Sequence, residues 1–205
     1  MTATKQYKIK GEVNMKQIRR GVFETNSSSC HSIAIGKEKV KNMSGSKIYF
    51  GSGEYGWENG CEIDTASYLH TALVNTCSPT EYQHNIDRIK TILDKYNVQY
   101  EFAPVKFEKH TYGDKTYEYV KFKSDKWAFV DHANECKYFI EAILSDEDLF
   151  LRYLFGDSCI YTGNDNSDDE DDMCYCAEKF IWREDGNVPN PNHDEEHYDY
   201  FFKGN

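Results

Sequence analysis

SPTEYQHNIDRIKTILDKYNVQYEFAPVKFEKHTYGDKTYEYVKFK, residues 78–123, holds both kinds of secondary structure in one unbroken run. Ser78 is an N-cap residue, Pro79 stands at the first helical position and Glu81 at the third, so a capping box opens a helix here. Ile86, Ile89, Ile92, Leu93 and Tyr96 then recur at helical spacing, and Asn97 suits the stop. Beyond it Val98–Phe102 and Val105–Lys109 are rich in aromatic and β-branched residues. Tyr112-Gly113-Asp114-Lys115 reads as a turn and Thr116–Lys123 as the returning strand of a hairpin.

The same alternation runs outward in both directions. Upstream, Ile33–Ile35 and Lys47–Phe50 read as strands. The glycine-rich loop 51–60 follows, and Asp64 caps a helix that buries Ala66, Leu69, Leu73 and Val74. Downstream, Glu135–Leu144 is helical by spacing. Ser145 is expected to cap a further helix with Asp146, Glu147 and Asp148 in its first turn. Ser158–Thr162, Glu178–Trp182 and Tyr198–Phe202 read as strands. Without regular βαβ alternation, this predicts a single mixed α+β domain over residues 15–205, with a mostly antiparallel sheet and several helices. Residues 1–14 are expected to be a flexible basic tail.

Composition narrows the function classes. The 205 residues include 16 Tyr, 12 Phe and 3 Trp, so rings can build the core. The mean hydropathy of −0.78 and the lack of a long apolar run argue against a membrane span. The first 14 residues have no apolar centre and do not read as a secretory signal. Seven cysteines, an odd and irregularly spaced set, argue for thiols rather than a disulfide framework.

Charge is uneven. The chain carries a formal −11, yet residues 145–200 hold 17 acidic against three basic residues, a net of −14. Such a surface repels a nucleic-acid backbone, so no direct binding of duplex DNA is expected. It would attract a basic protein surface, Asp165, Asp168, Asp169, Glu170, Asp171 and Asp172 being the densest part. The plain alternative is a solvated acidic face.

Three groups of residues could carry chemistry. Cys174 and Cys176 with His193 and His197 offer two thiolates and two imidazoles, a donor set for tetrahedral Zn²⁺, although Cys-x-Cys is tighter than the usual spacing. Cys159, His31 or His132 could complete such a site in space. The polar run Asn26–Ser32 reads as a turn between two strands, or as a site in which Ser28, Ser29 and His31 face a cavity. No nucleophile-elbow pattern surrounds those serines. His132 and Cys136, four apart, would share a helix face, with Asp131 adjacent. Residues 163–170 lack the glycine that an EF-hand loop requires.

Arg19-Arg20-Gly21-Val22-Phe23-Glu24-Thr25-Asn26-Ser27-Ser28-Ser29-Cys30-His31-Ser32 resembles the opening of a family of small proteins from phages and mobile elements of Gram-positive bacteria. Glu54 and Trp57 within the 53–58 run, Asp131-His132 and residues 162–166 resemble further landmarks of that family, from Met15 onward. Cys30 stands where a hydroxyl residue is expected, which argues against catalysis at that position. The resemblance implies a protein of the bacterial host cytoplasm and a neighbourhood that includes metal-containing type II anti-CRISPR proteins. The leading expectation is therefore a non-enzymatic inhibitor that binds a Cas9-type nuclease through its acidic surface, blocks DNA loading and carries zinc. The alternative is a metal-dependent enzyme acting on nucleotides or phosphoesters, using Ser28, His31, Glu54, Trp57, Asp131 and His132.

Overall fold

A computed structural model describes residues 29–56, 63–124, 128–164, 176–181 and 186–204. They form a mixed α+β fold with mostly antiparallel pairing. Strands β1 (Ser29–Gly36), β2 (Lys47–Phe50) and β3 (Glu54–Tyr55) lead into helices α1 (Thr65–Thr76) and α2 (Pro79–Lys95). Next come β4 (Gln99–Phe102), the hairpin β5 (Val105–Tyr112) and β6 (Lys115–Phe122), and β7 (Phe129–Val130). A 3-10 turn over Ala133–Glu135 opens onto α3 (Cys136–Ser145) and α4 (Glu147–Phe155). The chain closes with β8 (Ser158–Asn164), β9 (Phe180–Ile181), β10 (Val188–Pro189) and β11 (Tyr198–Gly204).

The helix pair forms as its local sequence dictates. Asp64 accepts from the Ala66 and Ser67 amides at the start of α1. Ser78 and Glu81 complete the capping box of α2, each side chain accepting from the other's amide. Asn97 takes φ 54°, the left-handed conformation that ends a helix. Helix α1 is buried on nearly every side because β2, β6, β7, α3 and α4 all pack on it. Tyr68, Leu69, Leu73, Ile89, Leu93, Phe139, Phe150 and Tyr153 fill the core.

The three-stranded sheet is built from distant parts of the chain. β1 lies in its middle, antiparallel to β8 on one side and to β11 on the other. Ser29–Ser32 therefore belongs to a central strand, where the sequence suggested a turn. Pairing partners at Asn164–Tyr161 and at Gly204–Lys203 satisfy a backbone that its own polar side chains would otherwise have turned.

Two further local expectations are corrected. Ser145 ends α3 and its hydroxyl donates back to Ala142, whereas Asp146 is the N-cap of α4, accepting from the Leu149 amide at 3.1 Å. His132 and Cys136 do not share a helix face, because His132 adopts φ 53° and a 3-10 turn separates them. No helix among the described residues is long and apolar enough to cross a membrane.

Candidate functional site

Alternation along β1 sends His31, Ile33 and Ile35 to one face of the sheet and Cys30, Ser32 and Ala34 to the other. His31 is completely buried. Its Nε2 lies 2.5 Å from the main-chain oxygen of Asp131, and since a carbonyl only accepts, Nε2 carries the proton. In the neutral ring Nδ1 is then a lone-pair acceptor, and it has no hydrogen-bond partner among the described residues. Burial lowers the His31 pKa, opposed by the bond to Asp131 and its charge. The imidazole is thus neutral at pH 7, packed 6.0 Å from the Tyr68 ring.

The turn at Asp131 is held from several sides. Its amide donates to Tyr55, and its carboxylate accepts from the His132 amide at 3.1 Å. Gly56 allows the approach: a β-carbon there would stand 2.6 Å from Asp131 Cβ. The Tyr68 hydroxyl lies 3.4 Å from the Cys136 thiol, which burial pushes up to about 11. His31, Asp131 and His132 are thus brought together, although His31 meets the Asp131 backbone rather than its carboxylate. Glu54 is exposed on β3, in register with Phe129. Ser28 and Trp57 lie outside the described residues.

On the opposite face of β1, Ser32 meets the segment after residue 175. Its hydroxyl accepts from the Ala177 amide at 2.6 Å and lies 3.5 Å from the buried Cys176 thiol. That thiol donates toward the Cys159 carbonyl at 3.7 Å. It also hydrogen-bonds the Cys159 thiol, which this contact and burial hold far above the ordinary thiol range. His193 Nδ1 lies 3.0 Å from the Cys176 carbonyl and Nε2 is 3.3 Å from Glu195, with the ring centred 4.3 Å from that of Phe201 at a tilt of 31°. His197 Nε2 is 2.6 Å from Asp157.

Cys176, His193 and His197 thus gather at one side of the sheet, but both His193 ring nitrogens and His197 Nε2 are engaged with a carbonyl and carboxylates. Among the described residues no three of His, Cys, Asp and Glu stand together as a metal-holding group. Cys174 lies outside the described residues, as do Asp165, Asp168, Asp169, Glu170, Asp171 and Asp172. The part of this site that suits a soft metal is the adjacent thiol pair, Cys159 and Cys176. Sequence spacing offered no pairing of the two, which stand 17 positions apart and meet beside β1, where Ser32 also touches Cys176.

Sequence reasoning also missed a cleft of about 340 Å³ between α2 and α3, lined among others by Glu81, His84, Arg88, Lys137 and Glu141. No motif marks it; only the crossing of the two helices assembles it. Arg88 and Glu141 pair across it at 3.1 Å. Comparison with protein-family models, curated proteins and solved structures finds no match to this chain.

Proposed function

We propose that the chain is a binding protein of the anti-CRISPR type. It acts in the cytoplasm of a bacterial host cell and docks its acidic C-terminal third on the basic nucleic-acid channel of a Cas9-type nuclease. Such a channel holds the guide–target duplex by its positive charge, so an acidic protein competes for the same surface. The observation that supports this reading is the concentration of charge, a net of −14 over residues 145–200 on a chain that otherwise sums to a small positive value. Within that stretch Asp194, Glu195 and Glu196 stand exposed. The Cys176 thiol, which stands beside Cys159, supports a structural Zn²⁺ at the same end, with Cys174, His193 and His197 as the three further ligands.

The enzymatic alternative draws less support. A general base must reach substrate, and His31 is enclosed with Nε2 committed to a backbone carbonyl.

The experiment is capture of Cas9-type nucleases by the purified chain, followed by a DNA-loading assay. A salt-sensitive complex that prevents loading is expected. Changing Asp168, Asp169, Asp171 and Asp172 together to Lys should slow association without altering the melting temperature, because a run of like charge steers encounter over long range and does not favour the compact fold. Retained inhibition with unchanged salt dependence in that variant rejects the acidic docking face. Elemental analysis of untagged protein tests the metal: zinc retained when Cys174 and Cys176 are both Ser rejects this ligand set.

A further inference from the structure

The β5–β6 hairpin has two faces of unlike chemistry. Its register pairs Val105 with Phe122, Phe107 with Val120, Lys109 with Glu118 and Thr111 with Thr116 on one face. At the base of that face Val120 and Phe122 are 5% and 4% exposed, packed toward α1 and α2, and Phe107 meets the Tyr82 ring edge-on. Toward the tip, Lys109 pairs with Glu118, and the Thr111 and Thr116 hydroxyls lie 3.2 Å apart. Phe107 is 54% exposed but keeps that ring contact, so the cross-strand pairs and the core account for this face.

The other face follows a different logic. It pairs Lys106 with Lys121, Glu108 with Tyr119, His110 with Tyr117 and Tyr112 with Lys115. Tyr112 and Tyr117 are 71% and 53% exposed, and the His110 ring lies 4.6 Å from the Tyr112 ring, tilted by 56°. Two lysines directly opposite each other destabilise a ribbon. The single acid on the face, Glu108, accepts from Tyr119 and pairs with Lys106. Lysines therefore outnumber acids three to one on this face of a chain whose overall charge is −11. Exposed rings and a local positive surplus on a strongly acidic body do not serve solubility. They match a polymer with regularly spaced negative charge and flat apolar rings.

We propose that the outward face of the ribbon, through Lys106, Lys115, Lys121, His110, Tyr112 and Tyr117, binds single-stranded nucleic acid. The ammonium groups meet phosphates, and the tyrosine rings stack on unpaired bases, which present a π-face whatever their sequence. From the Lys106–Lys121 pair to the Tyr112–Lys115 pair the face runs six residues, about 20 Å at strand rise, room for several nucleotides. A duplex hides its bases from the rings and presents a denser charge to the acidic body, so the single strand is favoured. The inference rests on the ribbon alone and stands whether or not the acidic third docks on a nuclease.

The test is fluorescence anisotropy of labelled oligo-dT, oligo-rU and a mixed-sequence duplex titrated with the full chain. Single strands are expected to bind with log K falling against log salt at a slope of about −2, three lysines at roughly 0.7 each. Lys115→Glu with Lys121→Glu should weaken binding by tenfold or more and flatten that slope. Tyr112→Ala with Tyr117→Ala should weaken it about tenfold while leaving the slope unchanged, since stacking releases no counterions. Lys41→Glu, an exposed loop charge outside the ribbon, should change neither. DNA and RNA arms distinguish the sugar preferred. The proposal is overturned by no binding of either single strand up to about 100 µM, the weak end of non-specific affinity. A duplex bound more tightly than both strands, or a loss in Lys41→Glu equal to that of the ribbon variants, overturns it equally. Because wild-type failure is itself decisive, the outcome does not depend on the variants folding.

Discussion

Two buried histidines show two ways of building this molecule. His70 lies on α1 among groups close to it in sequence. Its Nδ1 donates to the Phe50 and Gly51 carbonyls, each at 2.8 Å, and its Nε2 accepts from the Tyr82 hydroxyl at 2.7 Å. The Phe102 and Phe122 rings stand edge-on at 5.4 and 5.1 Å. His31 lies on β1, and among the described residues its one side-chain hydrogen bond goes to a residue 100 positions away while Nδ1 has none. A buried polar group with all its partners ties elements together; one with half of them costs desolvation and repays little. The helix-pair region is therefore stitched tightly, and the β1 sheet relies more on backbone ladders.

The largest expected effect breaks or confirms that contrast directly. His70→Leu strands the Tyr82 hydroxyl and two carbonyls and should cost about 3 kcal/mol in urea denaturation, against about 1 kcal/mol for His31→Leu. Equal losses would end the distinction. Next comes Arg152, the main side-chain clasp of the sheet region. It donates to the Gly36 carbonyl at 2.5 Å and to Asp199 at 2.7 Å, joining α4 to β1 and β11. Arg152→Met should cost about 2 kcal/mol, the scale of hydrogen bonds to a charged group, with Asp199 partly exposed. A loss near zero would show that the ladders alone hold the sheet.

A pH titration sharpens the comparison further. Burial lowers both histidine pKa values, so the unfolded chain binds more protons than the folded one below the ordinary value of 6.5. Stability is then full above 6.5 and falls as pH drops toward the lowered values, by at most about 1.4 kcal/mol per pH unit for each ring. Each Leu variant should remove its own share of that slope; a slope unchanged in both would show that neither ring titrates with folding. The smallest effect is at the α3–α4 junction, where Asp146→Ala should lower stability by about 1 kcal/mol while Ser145→Ala changes little. The reverse order in thermal melts would restore Ser145 as the cap.

What could be read in advance followed the range of the interaction. The Ser78–Glu81 capping box, the Asp64 cap, the Asn97 stop and the hairpin around Gly113 all formed as their residues indicate. Each is closed by groups within a few positions. Gly113 sits at φ 57° in a two-residue loop, a conformation glycine adopts without strain. The polar run through Ser29–Ser32 misled for the opposite reason. Its serines and histidine favour a turn locally, yet partners at Tyr161–Asn164 and Lys203–Gly204, far along the chain, pull it into the centre of a sheet.

The residues considered for function divide the same way. Sequence by itself determined the acidic third, the aromatic wealth and the Cys/His donor types, because charge and side-chain chemistry do not depend on folding. Tertiary structure alone decided that His31 is enclosed against Asp131, that Cys176 neighbours Cys159, and that three lysines and three tyrosines share one outward ribbon face. Those outcomes turn on strand register and long-range packing. A shift of one residue in register would have sent Tyr112 and Lys106 to the other face and left the hairpin with nothing to present.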